Sequence, residues 1–156
     1  MVKKYVFGTP IETDAVVKEI KETSWKDDIF QKEGNVFHYL LKTDEIVYGL
    51  GENVRGMNKR GWRYVSNCSD NPNHCEHTNS LYGAHNVIMM GDGVSETYGL
   101  FVDTPGTVTF DVGYTDIDRL IIAMENENYK IYLIEGQTYQ DVVREFREMI
   151  GRSYIA

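Results

Sequence analysis

The sequence predicts an all-β protein, an antiparallel β-sandwich finished by one C-terminal helix, and three observations predict it. Short apolar runs alternate with Gly, Asn and Asp turn signals through most of the chain. Tyr, Phe and Trp make up 12% of the residues, a bias that suits pleated, half-buried surfaces. Strong helical periodicity is confined to a segment near the end. Strands recurring at this spacing with tight turns between them build two stacked antiparallel sheets.

Taken in order, strands are predicted at 29–32, 36–41, 46–50, 63–66, 84–90, 97–102, 108–112, 120–125 and 130–134. Their connections carry turn chemistry: Glu33-Gly34-Asn35, Gly91-Asp92-Gly93, Pro105-Gly106, Thr115-Asp116 and Asn126-Glu127-Asn128. The helix is predicted at 138–150, where Tyr139, Val142, Val143, Phe146, Met149 and Ile150 recur at helical spacing. Thr138 is placed to cap its start and Gly151 to end it. Val142, Val143, Phe146 and Ile150 form its apolar face, opposite Arg144, Glu145, Arg147 and Glu148. A second, less regular amphipathic helix is predicted over 13–23 from Val16, Val17 and Ile20.

The 156 residues fit one domain, with no repeat, low-complexity tract or Pro/Ser-rich linker to divide them. A formal net charge of −8 disfavours nucleic acid and anionic membranes as partners. No apolar run reaches membrane-spanning length, and the start "MVKKYVFGTPIETD" lacks the apolar stretch of a leader, so a cytoplasmic protein is expected. Two cysteines are too few for a secreted disulfide framework and are expected to be thiols. Gly49-Leu50-Gly51 is followed by Val54 where a dinucleotide fingerprint needs its third glycine, and there is no phosphate-binding loop. No cofactor is expected.

Between two predicted strands lies "SNCSDNPNHCEHTNSLYGAH", residues 66–85, with both cysteines and three of the four histidines of the chain. A zinc site needs four ligands on spacings that close a tetrahedron. Here the pattern is Cys68-x5-His74-Cys75-x-His77, and adjacent side chains in extended backbone point apart. A Cys–His nucleophile pair also needs an orienting third group and an oxyanion site, which the sequence does not display. Polar loops of this length in a compact domain are usually functional or disordered.

Six ordered blocks carry a family resemblance: "YGLGE" at 48–52, "NKRG" at 58–61, "LYGAH" at 81–85, "YGLFVDTP" at 98–105, "TFDVGY" at 109–114 and "YLIEGQTYQDVVREFREMIGR" at 132–152. In this order, over roughly 36–152, the chain resembles the N-terminal domain of glycoside hydrolase family 31, the α-glucosidases and α-xylosidases. The resemblance implies a galactose-mutarotase-like sandwich that packs on a (β/α)8 catalytic barrel and belongs to an enzyme retaining anomeric configuration. It also implies that the catalytic aspartates, two carboxyl groups about 5–5.5 Å apart, sit on the barrel. No catalytic residue is therefore expected in this chain, and it is expected to be one accessory domain, 1–156, whose helix leads to that barrel. Without the barrel the helix face would be left open, and self-association is expected.

In the family the long loop reaches over the barrel mouth, and an Asp in an Asn-x-Asp-like stretch bonds sugar hydroxyls. By position that residue is Asp70, although the family's aromatic-Asn-Thr-Asp becomes Ser66-Asn67-Cys68-Ser69-Asp70, one residue longer and without its Trp. The competing expectation is that Asp70 caps the turn before Pro72.

The remaining conspicuous residues have plainer expectations. Glu52, Arg55, Lys59 and Arg60 are expected to form ion pairs at a domain seam or rim. Tyr48, Tyr82 and Tyr98 could stack on sugars but sit in strand patterns that favour packing. Asp103 and Asp111 are expected to accept from backbone donors in turns, and His85 to be a hydrogen-bonded structural histidine. Two other functions stay open: a free-standing carbohydrate-binding module using exposed tyrosines, and a zinc-stabilised sandwich with no sugar partner.

Overall fold

A computed structural model describes residues 1–151. Among them run ten strands and a helix: β1 (Val2–Phe7), β2 (Gln31–Glu33), β3 (Val36–Leu40), β4 (Tyr48–Gly51), β5 (Trp62–Ser66), β6 (Ala84–Gly91), β7 (Thr97–Asp103), β8 (Val108–Val112), β9 (Arg119–Met124), β10 (Tyr129–Gly136) and α1 (Tyr139–Ile150). They form two five-stranded sheets, ordered β1-β10-β7-β6-β4 and β2-β3-β9-β8-β5. All the strand pairs are antiparallel.

The main core fills the space between the sheets with Phe30, Phe37, Leu50, Ile88, Leu100, Phe110, Leu120, Ile122 and Ile131. Each large apolar side chain so buried contributes about 1.5–3 kcal/mol. Strand β10 is buried on both faces from Tyr129 to Ile134. Tyr129, Ile131 and Leu133 join the main core, whereas Tyr132 and Ile134 join a second cluster with Val142 and Met149 of α1. A nearly continuous apolar run is what a strand covered on both sides requires, and the one charged residue within it, Lys130, is buried with its ammonium 2.9 Å from Glu12 Oε2.

Helix α1 forms where its spacing predicts. Thr138 caps it: its hydroxyl accepts from Asp141 N at 3.2 Å, and Asp141 Oδ2 accepts from Thr138 N at 3.1 Å. The close approach of α1 to β7 depends on Gly99, since a Cβ there would lie 2.4 Å from Val142 Cγ1. Of the predicted apolar face, Val142 is buried and Phe146 packs into the second cluster, with Met149 rather than Ile150 as the other buried anchor. Val143 and Ile150, two of the four residues assigned to that face, stay exposed.

Several expectations in the first third of the chain need correction. Residues 13–23 are not a helix but an irregular strap laid across the outer face of the first sheet. Val16 and Ile20 enter the second cluster, and the Val17 and Lys18 amides donate to the Met149 carbonyl at 2.9 and 3.2 Å. Those amides satisfy a carbonyl orphaned at the end of α1 and are unavailable for intrahelical bonds. Strand β1, which the sequence does not predict, pairs with β10 from Val2↔Ile134 to Phe7↔Tyr129. The expected 29–32 strand is the shorter β2, displaced toward its turn, and the 46–50 strand is displaced to β4.

Strand β4 ends irregularly. Gly49, Leu50 and Gly51 take φ values of +122°, +70° and +69°, and the register with β6 shifts between the two glycines. A Cβ at Gly51 would lie 2.2 Å from the Gly83 carbonyl, so the chain can approach this closely only with glycine. This bulge brings the end of β4 to the base of the long loop.

Candidate functional site

The loop between β5 and β6 has a zipped base and a lightly held tip. At the base, Glu52 N donates to Gly83 O at 2.8 Å, Leu81 N donates to Glu52 O at 3.2 Å, and Gly83 N donates to Glu52 Oε2 at 3.2 Å. The "YGLGE" and "LYGAH" blocks, distant in sequence, thus clasp one another. Ser80 completes the base: its hydroxyl donates to Val65 O at 2.8 Å and accepts from Asn67 N at 3.3 Å. Ser69 N and Oγ donate to the Leu81 and Ser80 carbonyls, each at 3.0 Å.

Asp70 follows Ser69 directly and is exposed. Its carboxylate makes no hydrogen bond among the described residues. The turn before Pro72 is held instead by Asn71, whose Oδ1 accepts from Asn73 N at 3.0 Å, so capping does not account for Asp70. A hollow of about 390 Å³ in the same loop is lined by Asn67, Ser69, Asn71, His77, Thr78 and Asn79, together with Val65 and Cys75; both sequence neighbours of Asp70 line it, and Asp70 itself does not. Five of the eight lining residues carry an amide or a hydroxyl, groups that exchange hydrogen bonds with neutral polar ligands.

The cysteines and histidines of the loop go separate ways. Cys68 Sγ accepts from Ala84 N at 3.3 Å, and Cys75 Sγ meets Thr78 Oγ1 at 3.5 Å. His74 packs edge-on to Tyr82, and His77 edge-on to Trp62. Among the described residues no three His, Cys, Asp or Glu side chains are placed to hold a metal ion. The Cys75 thiol is held below its usual range, first by the Thr78 hydroxyl and then by backbone N–H groups of His77 and Thr78, against a small opposing effect of burial.

The four charged residues after β4 do not form the expected ion pairs among the described residues. Arg60 donates to the Lys42, Thr43, Glu45 and Ile117 carbonyls at 2.7–3.2 Å, knitting two turns together. Buried Lys59 donates to Asn53 Oδ1 and the Gly56 carbonyl, both at 2.9 Å. Burial, then the Arg55 charge, lowers its pKa from the ordinary lysine value. Arg55 lies over Trp62 and Tyr64, 4.3 and 4.9 Å from the ring centroids, and donates to the Arg63 and Glu76 carbonyls at 2.7 and 2.8 Å. Its reach to Glu76 spans 21 residues, and no local pattern in the sequence signals it.

Tyr48 packs edge-on to Tyr139, and Tyr98 packs near Tyr39 while donating to Glu96 Oε1 at 2.7 Å. Tyr82 differs in being 53% exposed. Asp111 accepts from the Tyr114 and Thr115 amides, both at 3.0 Å, as a turn residue should. Asp103 instead accepts from the Thr13 hydroxyl at 2.9 and 3.0 Å, anchoring the strap. His85 is exposed and makes no side-chain hydrogen bond among the described residues, contrary to expectation.

Comparison with known proteins places this architecture. Residues 8–111 match the glycosyl hydrolase 31 N-terminal galactose mutarotase-like domain. The chain is 28% identical over 116 residues to an alpha-glucosidase of Saccharolobus solfataricus, covering 74% of this chain and 16% of the relative. It is 30% identical over 108 residues to the alpha-xylosidase XylQ of Lactiplantibacillus pentosus, covering 69% of this chain and 13% of the relative. Among solved structures, a cycloalternan-degrading enzyme of Trueperella pyogenes in complex with isomaltose superposes with a TM-score of 0.73 at 20% identity, over 85% of this chain and 21% of that one. A GH31 dextranase of Flavobacterium johnsoniae complexed with glucose gives a TM-score of 0.66 at 22% identity, over 81% of this chain and 15% of that one. The chain thus spans less than a quarter of the length of these proteins. Sandwich, helix and matched residues together make it a member of the glycosyl hydrolase 31 N-terminal galactose mutarotase-like domain family.

Proposed function

We propose that this chain is the non-catalytic accessory sandwich of a retaining α-glucosidase, an enzyme that hydrolyses terminal α-linked glucose. The observation that carries the proposal is the family match over 8–111 in a chain corresponding to 13–16% of its glycosidase relatives. In this reading residues 1–156 are one domain in a cytoplasmic polypeptide, and α1 leads to a (β/α)8 barrel bearing the two aspartates that the chemistry needs. The 67–83 loop overhangs the barrel mouth, and Asp70 accepts hydrogen bonds from sugar hydroxyls. An exposed carboxylate without a partner among the described residues, set in sequence between two residues that line the loop's hollow, supports that assignment, because ionised acceptors make the stronger hydrogen bonds and sugar selectivity rests on such contacts.

The test is Asp70→Ala in the polypeptide that joins this sandwich to its catalytic part. Loss of a charge-assisted bond of about 1.5–3 kcal/mol lowers kcat/KM by roughly tenfold to a hundredfold. An unchanged kcat/KM removes Asp70 from the pocket. The 156-residue chain alone is expected to leave a chromogenic α-glucoside uncleaved.

Exposed Tyr82 favours a second reading, a free-standing carbohydrate-binding module, since a half-exposed aromatic ring can stack on a sugar. Titration with maltose and isomaltose separates the two, because a module binds by itself and an accessory domain lacking its barrel does not. With Val143 and Ile150 exposed, together with the apolar hollow beside Tyr48, Met57 and Met89, the isolated chain is expected to self-associate.

A further inference from the structure

Between Asp70 and Asn79, a single hydrogen bond ties the loop to the sandwich body among the described residues: Arg55 Nε to the Glu76 carbonyl, 2.8 Å. The other bonds of the stretch are internal to it: Asn73 N to Asn71 Oδ1, Cys75 N to Thr78 Oγ1, Thr78 N to Cys75 O and the Cys75–Thr78 side-chain contact. The same arginine is itself anchored. Its Nη1 donates to the Arg63 carbonyl on β5 at 2.7 Å, and its planar face lies 4.3 Å from the Trp62 ring centroid. His77, next to Glu76, also packs edge-on to Trp62, with ring centroids 6.0 Å apart.

One rigid fork therefore addresses two carbonyls, one in the sheet and one in the loop, while stacking fixes its plane. Lysine could not replace it, because an ammonium is a point charge without the fixed directions of a guanidinium. Arg55 also has no carboxylate partner among the described residues, and its Nε and Nη1 both donate to backbone carbonyls.

We infer that Arg55 is the positioning residue that latches the loop tip to β5 and thereby holds Asp70 at the sugar. The inference rests on the proposed role of Asp70. With the latch released, residues 70–79 swing on the base formed by Ser69 and Ser80, which leaves the sandwich intact and the carboxylate without a fixed place. A flexible acceptor loses affinity through ordering entropy, so the effect falls on substrate binding before chemistry.

Nuclear-spin relaxation of the 156-residue chain tests the latch. Amides of 74–79 should have order parameters in the rigid range in the wild type and fall below about 0.6 in Arg55→Lys and Arg55→Ala, with β6 and β7 unchanged. Millimolar methylguanidinium should restore order to Arg55→Ala, a rescue that a merely space-filling role would not show. Arg55→Lys keeps an aliphatic stem over Trp62 and provides the folded comparison if the alanine variant unfolds. In the polypeptide that includes the catalytic part, Arg55→Lys should raise KM at least tenfold with kcat changed less than threefold. Unaltered order parameters in both variants overturn the latch. A loosened tip with KM unmoved overturns instead the placement of the loop in the substrate pocket, and with it the role proposed for Asp70.

Discussion

Gly51 shows how narrowly one residue can be determined. A Cβ at this position meets the Gly83 carbonyl at 2.2 Å, and φ is +69°, so Gly51→Ala combines a backbone clash with a left-handed conformation that L side chains disfavour. A loss of at least about 2 kcal/mol is expected in urea unfolding, together with loosening of the loop base. Asp111 makes a pH prediction. Burial opposes its ionisation, yet the Thr115 hydroxyl, the Thr115 and Tyr114 amides and Arg63 outweigh burial and hold its pKa below the ordinary aspartate value. A depressed folded pKa means that this contribution is complete above the unfolded value of about 3.9 and disappears as pH falls through the folded one. Acid unfolding followed by circular dichroism should therefore be less steep for Asp111→Asn, which is already weaker at neutral pH. The turn role of Asp111 was legible because the residues it serves, Tyr114 and Thr115, are sequence neighbours. Arg55 was not, since its partner is 21 residues away and identifiable only once the chain has folded.

The elements divide in the same way. Helix α1 was legible because capping, periodicity and a terminal glycine agree, and its cap can be tested: Thr138→Ala should cost about 1 kcal/mol in thermal or urea unfolding. Most strands were legible from turn chemistry between apolar runs. The strap was misread because Val16, Val17 and Ile20 have helix-like spacing, while the deciding interaction, two amides on the Met149 carbonyl, lies more than 130 residues away. β1 was missed for the same reason: its support is a long-range pairing with β10 and not any local signal. Substituting Val16 by Asp should place a charge in the second cluster, and the prediction is that amides at the end of α1 exchange faster with solvent while those of the main core do not.

At the scale of the whole molecule, buried and half-buried tyrosines set the alkaline limit. Burial pushes Tyr129, Tyr132 and Tyr139 up to about 12, with smaller additions from nearby acidic groups and, for Tyr139, Tyr48. A phenol whose folded pKa is raised contributes its full stability below the unfolded value of about 10 and loses it as pH rises toward the folded one. Tyrosinate absorbance should thus rise in two stages, exposed rings first and the buried set together with loss of structure. Size-exclusion chromatography across a concentration series checks the proposed self-association, and a monomer at every concentration would count against it. How such association would proceed is constrained by the trio Gly49-Leu50-Gly51. Strand β4 borders its sheet, and a straight border is a template on which further chains can add indefinitely by main-chain pairing. Three successive left-handed residues leave too little flat ribbon for an incoming strand to lie along. Assembly at this border should then be joined by side chains and not by an added strand.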